Sequence, residues 1–177
     1  MAGNATIYKA TLSVANMDTH NYGDHSLTLA QHPSENELRL MVRLVAFILN
    51  ADEALSFTRG MAQEDEPDLW KKNAVGEIEL SIILGQPDEK RIKKACGTSE
   101  EVIIYTYQKG MAEAWLKQNE KILKRFKNLK VIALSFSDEI ELLCKRSINL
   151  QCNVLDNELT LITDDYSIIV YEDLCEI

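Results

Sequence analysis

Prolines are scarce in this chain, three in 177 residues. Disordered segments are proline-rich and poor in hydrophobic residues. At 46% hydrophobic and 27% charged, this sequence has the composition of a globular protein. No apolar run approaches the ~20 residues needed to span a bilayer. The opening Met1-Ala2-Gly3-Asn4-Ala5-Thr6 has neither a basic region nor an apolar core, so no secretory signal is expected there. The four cysteines, Cys96, Cys144, Cys152 and Cys175, form no Cys-x-x-Cys pair. They are expected to be reduced thiols in a cytoplasmic protein rather than a disulfide framework or a zinc knuckle. The chain also lacks a Ser-His-Asp or Cys-His set, a phosphate-cradling glycine loop and a dinucleotide fingerprint. Cations are in deficit, with 19 Lys and Arg against 28 Asp and Glu, a net charge of −9. That balance argues against indiscriminate nucleic-acid binding, which needs cations at the phosphates. A local basic groove or a divalent metal remains compatible with it.

The length fits one domain over residues 1–177, enough to bury a substantial core. Alternating residues predict a half-buried strand over 5–14, with Tyr8, Ala10, Leu12 and Val14 inward. A polar loop and a second alternating strand over 25–31 follow, for an antiparallel pair with a long connection. Ser34 and Glu37 form a capping box. Leu38, Met41, Val42, Val45, Ile48 and Leu49 then make one apolar stripe of a helix that ends near residues 50–52. Its other face holds Glu35, Arg39 and Arg43 at successive i,i+4 spacing. Short strands are predicted at 55–58 and 69–70, and a firmer one at 77–84. In the last, Ile78, Leu80, Ile82 and Leu84 share one face, and Glu77, Glu79, Ser81 and Ile83 the other. Pro87 opens a helix that stops at Gly97. A β-branched strand over 101–107, a helix over 111–126 and a strand over 129–134 imply parallel pairing through right-handed crossovers. A helical turn is expected over 137–145. A hairpin at Asp156-Asn157 joins strands 148–155 and 158–163, and a last strand covers 167–171.

Chemistry-bearing residues concentrate between Glu66 and Cys96. Pro67-Asp68 and Glu79-Leu80-Ser81 lie on neighbouring strands, and Lys93 and Lys94 lie on the helix that follows. From Ser34 the order is helix, three short strands, helix, strand, which resembles the PD-(D/E)XK nuclease core. The fold class expected is therefore α/β: a mixed β-sheet flanked by helices, with a restriction-endonuclease-like core and extra N- and C-terminal strands. The resemblance implies Asp68 and Glu79 as ligands of Mg2+, a metal that needs oxygen donors and keeps its waters. It also implies a lysine two residues after the Glu to assist the attacking water. Ser81 stands at that place, so the cationic helper falls to Lys93 or Lys94. The substrate class implied is nucleic acid.

A second resemblance covers nearly the whole chain. Ala5-Thr6-Ile7-Tyr8-Lys9-Ala10-Thr11, Leu27-Thr28-Leu29-Ala30, His32-Pro33-Ser34-Glu35, Phe57-Thr58-Arg59-Gly60, Asp65-Glu66-Pro67 and Pro87-Asp88-Glu89-Lys90-Arg91-Ile92-Lys93-Lys94-Ala95-Cys96 resemble the YaeQ family. Those are bacterial cytosolic proteins without an established activity, on a fold described as a variation of the PD-(D/E)XK core. The family strand typically reads Asp-x-Trp-Ile-Glu-Leu-Gly. Here it reads Glu79-Leu80-Ser81-Ile82-Ile83-Leu84-Gly85, so Ile83 stands where the family has an acid.

Plainer readings compete. Asp68 and Glu79 as solvated carboxylates, and Lys93 and Lys94 as an exposed helix face, need no metal. Capping and pairing with Arg39 explain Glu35 and Glu37. His20, His25 and His32 are too loosely spaced for zinc. Lys117, Lys121, Lys124, Arg125, Lys127 and Lys130 form either a solvated face or a nucleic-acid rim without interleaved aromatics. Trp70 and Trp115 read as core. Two functions follow: a Mg2+-dependent nuclease or phosphodiesterase, or a catalytically inactive nuclease-like fold that serves as a binding or regulatory protein.

Overall fold

The computed structural model describes residues 4–177; Met1, Ala2 and Gly3, part of the stretch read above for a leader, lie outside the described residues. The elements in chain order are β1 (Thr6–Asn16), β2 (Asn21–Gln31), α1 (Glu37–Leu49), β3 (Leu55–Phe57), β4 (Leu69–Lys72), β5 (Ile78–Leu84), α2 (Glu89–Thr98), β6 (Ser99–Thr106), α3 (Lys109–Leu123), β7 (Leu129–Phe136), β8 (Ser147–Leu155), β9 (Glu158–Ile162) and β10 (Ser167–Leu174). Two 3-10 turns, Gly60–Ala62 and Ile140–Leu143, interrupt the loops. The protein is thus a mixed α/β structure dominated by strands. Among the described residues no helix is long and apolar enough to cross a membrane. The chain divides into two compact units, one running to Ala51 and resumed by Phe136–Tyr171, the other Asp52–Ser135 with Glu172–Ile177.

In the first unit β1 pairs antiparallel with β2 and parallel with β8, and β8, β9 and β10 continue as an antiparallel meander. The long polar connection expected after β1 is instead a tight one. β2 begins at Asn21, and His20 takes a left-handed φ of 56° to make the turn. Asp156 and Asn157, with φ of 52° and 61°, form the predicted hairpin between β8 and β9. The Asp18 carboxylate accepts both of their N–H groups, at 2.8 and 3.0 Å, and pins the turn.

Helix α1 departs from its sequence reading in two ways. Its N-cap is Asn36, whose Oδ1 accepts the Arg39 N–H at 2.8 Å. Ser34 instead sits in a turn, donating its N–H to His32 Nδ1 at 3.0 Å. The apolar stripe is also wider than expected, since every residue from Leu40 to Ile48 is buried. That includes Arg43, only 5% exposed, which the periodicity placed on the solvent face. Burial is tolerable because its Nε and Nη2 donate to Glu35 at 3.0 and 2.8 Å, and Nη2 also donates to Ala30 O at 3.0 Å. Glu35 Oε2 accepts a third donor, Arg39 Nη1, at 2.7 Å.

The second unit holds the antiparallel meander β3-β4-β5, then β6 and β7, each parallel to its predecessor. Both crossovers are helical, as the sequence predicts. Ile83, Ile92, Ala95, Ile104, Trp115 and Leu123 belong to one core cluster that joins α2 and α3 to the sheet. Trp115, read as core, is core: its Nε1 donates to Pro87 O at 2.8 Å and fixes the loop entering α2. That helix starts later than expected, at Glu89, because the Asp88 side chain caps it by accepting the Arg91 N–H at 2.8 Å. It also runs through Gly97. Asn128 Nδ2 donates to Cys96 O and Ser99 O, both at 3.0 Å, and so satisfies carbonyls that the helix end leaves open.

Two outcomes test this packing. Glu35→Ala strands the buried Arg43 charge and is expected to cost about 3–5 kcal/mol in urea denaturation, with Glu35→Gln costing less. None of the four cysteines is in a disulfide. Burial pushes the thiols of Cys96 and Cys152 up to about 11 and about 12. Since only the thiolate reacts, both are expected to resist iodoacetamide at pH 8 in the native protein and to label on unfolding, read by mass spectrometry. An unfolded thiol ionises first as pH rises, so these groups withdraw stability above the ordinary thiol pKa.

Candidate functional site

Asp68 immediately precedes β4 and is 1% exposed. Its N–H donates to Ile82 O at 2.8 Å, and its Oδ2 accepts the Leu84 N–H at 2.9 Å. The carboxylate is therefore held against β5 across Ile83, which is fully buried. Arg91 Nη2, from α2, lies 3.5 Å from the same Oδ2 and donates to Glu66 O at 3.0 Å. Thr58 binds the segment from the other side: its N–H and Oγ1 both donate to Asp68 O, and Oγ1 also to Pro67 O. Asp68 thus joins β3, β5 and α2.

Glu79 is elsewhere. The ladder pairs Lys71 with Leu80 but Lys72 with Ile78, so β5 carries one residue more than β4 at this point. Glu79 is that extra residue, a β-bulge. Strict alternation put Glu79, Ser81 and Ile83 on one face; the bulge breaks it. Ile78 joins Ser81 and Ile83 at the cleft described below, while Glu79 turns to Lys71, with Nζ at 3.7 Å and its own side chain 39% exposed. Lys71 Nζ also lies 3.8 Å from Asp52. Ser81, at the place of the motif lysine, has its Oγ 2.7 Å from Ser99 Oγ in a buried hydroxyl pair. Lys93 pairs with Glu89 at 2.8 Å along the exposed side of α2. Lys94 faces a cleft, where it lies 3.3 Å from Asp65.

Asp68 and Glu79 are therefore not brought together, and of the two lysines Lys94 lines the cleft described below. Among the described residues no three His, Cys, Asp or Glu side chains are grouped to hold a metal ion. Mg2+ wants several convergent oxygens. Here one carboxylate is engaged by a backbone N–H and an arginine, and the other faces away. The donor set does not fit the ion.

The cleft itself, of about 300 Å³, opens where β4, β5 and α2 meet the loop 59–67. Ile78 and Ala95 supply apolar surface over the buried Ile83, Trp70 and Ser81 stand beside them, Arg59, Arg91 and Lys94 bring positive charge, and Asp65 and Glu66 bring negative charge. Gly85, with φ of 90°, ends β5 and turns the chain toward α2. The Asp88 cap then sets the phase that aims Arg91, Lys94, Ala95 and Thr98 at the sheet. Arg59 is committed to Glu66, through Nη2 at 2.8 Å and Nε at 3.2 Å, while its N–H donates to the other oxygen at 3.0 Å. Those hydrogen bonds hold the Glu66 carboxyl below its ordinary pKa. Trp70, read as core, is only partly buried, with Lys72 Nζ 3.9 Å from its ring centroid. Sequence reasoning missed Arg59, Glu66, Trp70 and Arg91. The i, i+3, i+4, i+7 stripe from Arg91 was legible once the helix was started at its Asp88 cap. A larger concavity of about 670 Å³ in the first unit lies over Thr11, Ser13, Asn149 and Gln151 and contains none of the candidate residues.

Meander, crossover helices and a cleft lined by charged side chains define a mixed α/β protein with, among the described residues, no assembled metal centre. The YaeQ protein family profile matches residues 1–171, and the chain belongs to that family. It is 44% identical over 166 residues to the uncharacterized protein YaeQ of Escherichia coli K12, covering 93% of this chain and 92% of that protein. The YaeQ protein of Salmonella typhi is 43% identical, with 91% and 90% covered. The crystal structure of the YaeQ protein from Xanthomonas axonopodis pv. citri superposes with a TM-score of 0.91 at 40% identity, covering 96% of this chain and 97% of that one. That from Pseudomonas syringae gives 0.90 at 28% identity, covering 98% and 97%.

The two carboxylates differ in what they hold, and stability separates them. Asp68→Ala, which strips the Leu84 N–H and Arg91 of their acceptor, is expected to cost about 2–4 kcal/mol. Glu79→Ala is expected to stay within about 0.5 kcal/mol of wild type, both measured by urea denaturation.

Proposed function

We propose that this chain is a cytoplasmic nucleic-acid-binding protein on a nuclease-like fold of the PD-(D/E)XK type, and that it does not cut. The order α1, β3, β4, β5, α2, β6, with an antiparallel meander and one parallel strand, supports the kinship with that fold. The observation that carries the non-catalytic reading is Ile83 beside the Asp68 carboxylate, with Glu79 turned to Lys71. An acid at position 83 would lie next to Asp68; an isoleucine there supplies no oxygen.

Binding rests on charge distribution. Residues 109–130, comprising α3 and its exit, hold seven Lys and Arg against two Glu, a net +5 inside a chain of net −9. Lys117, Lys121, Lys124, Arg125, Lys127 and Lys130 are all exposed. Among the described residues only two of these have ion-pair partners close by, Lys124 with Glu120 and Lys130 with Glu101. Lysine is a point-charge donor suited to phosphates without regard to sequence, and the absence of exposed aromatics along the segment favours duplex backbone over stacked single strands.

The test is anisotropy of a labelled duplex across a salt series, beside a plasmid-nicking assay with Mg2+ and Mn2+. The expected result is salt-dependent binding without nicking. The triple reversal Lys117→Glu, Lys121→Glu, Lys124→Glu should lower the log–log salt slope by roughly 3. Metal-dependent nicking that disappears in Glu79→Gln would establish the enzymatic reading instead.

A further inference from the structure

The geometry points to the cleft of the second unit as a site for a small amphipathic anion, a ligand with an apolar body and a carboxylate or phosphate head. This goes beyond the nucleic-acid reading and uses none of the lysines of residues 109–130 on which binding rests.

The body is matched by the floor. Ile78 and the edge of Ala95 present hydrocarbon above the buried Ile83, and Trp70 gives a rigid wall whose ring already carries the Lys72 ammonium at 3.9 Å. The Ser81–Ser99 hydroxyl pair is the polar point in that floor and is satisfied internally. A cleft of about 300 Å³ lies at the small end of organic ligand sites.

The head is matched by Arg91 and Lys94, which project from successive turns of α2 into the same space. The protein partner of Lys94 is loose, and Arg91 keeps one donor unused. Lys94 and Asp65 are 3.3 Å apart with side chains 49% and 63% exposed, a pair weak enough for a ligand anion to replace. Arg91 Nη2 donates to Glu66 O at 3.0 Å and lies 3.5 Å from Asp68. Its Nε is buried and has no hydrogen-bond partner among the described residues, although a buried N–H ordinarily finds one. Arg59, by contrast, is turned to Glu66 through Nε and Nη2 and takes no part. Two cations with spare donors at the mouth of an apolar recess select a negative head on an apolar body; a bare inorganic anion would leave the recess unused, and a neutral molecule would leave the cations unused.

Isothermal calorimetry and Trp fluorescence with indole-3-acetate, octanoate, phenyl phosphate, the neutral indole-3-acetamide and octanamide, and inorganic phosphate alone test this. At least one amphipathic anion is expected to bind, its neutral amide at least about tenfold more weakly, and inorganic phosphate more weakly still; the carboxylate and phosphate arms assign the head. Lys94→Ala, an exposed position, should weaken the anion about tenfold, and Trp70→Phe should abolish the fluorescence response while Trp115 remains. Ser81→Phe should block the cleft. Equal binding of acid and amide, no effect of Lys94→Ala, or no binding by any probe would overturn the inference. Duplex affinity measured in parallel with Lys94→Ala keeps the two readings apart, because it depends on residues 109–130.

Discussion

One buried carboxylate organises the second unit. Asp68 accepts a backbone N–H from Leu84 and lies beside the Arg91 guanidinium, while its own backbone ties β3 and β5. A charge removed from water is costly unless its lone pairs are used. The loop 59–67, the end of β5 and the first turn of α2 are therefore held in one arrangement by the need to satisfy a single side chain. The cleft is the space that this arrangement leaves on the Ile83 side. Its shape follows from a structural acid, and its chemistry from Arg91, which reaches that acid, and from Arg59 and Lys94, which pair with Glu66 and Asp65.

Much of the fold was legible because its periodicities are strong. The parallel β5-β6-β7 segment announced itself through β-branched runs separated by amphipathic helices. The Asp156-Asn157 turn was readable because Asn and Asp tolerate positive φ. What misled was local. At α1 both Ser34 and Asn36 are competent caps, and only the His32 turn decides between them. Arg43 sits at a helical spacing indistinguishable from a solvated position; its burial depends on Glu35 and Ala30 O, and the second of these lies on a strand whose proximity no spacing reveals.

The candidate site shows the same division. Asp68 was singled out as unusual, but for coordination rather than for the hydrogen bonds it makes. Glu79 was assigned its face by counting in twos, and no residue in Gly76-Glu77-Ile78-Glu79-Leu80 marks the bulge that invalidates the count. Lys93 and Lys94 are adjacent in sequence, yet about 100° of helical rotation separates an exposed i,i+4 pair from a side chain that meets the cleft. The basic run through α3 stands out against an acidic chain in the sequence itself, and its lysines are exposed in the fold.

The extra residue at Glu79 acts as a parity switch in β5. Before it and after it, odd and even positions exchange sides. A relative with the same side chains but no bulge would present Glu79 to the cleft and withdraw Ile78, which changes an apolar floor into an acidic one without replacing an amino acid. Chemistry at this cleft is therefore open to change by one backbone step, the gain or loss of a single residue, as readily as by substitution.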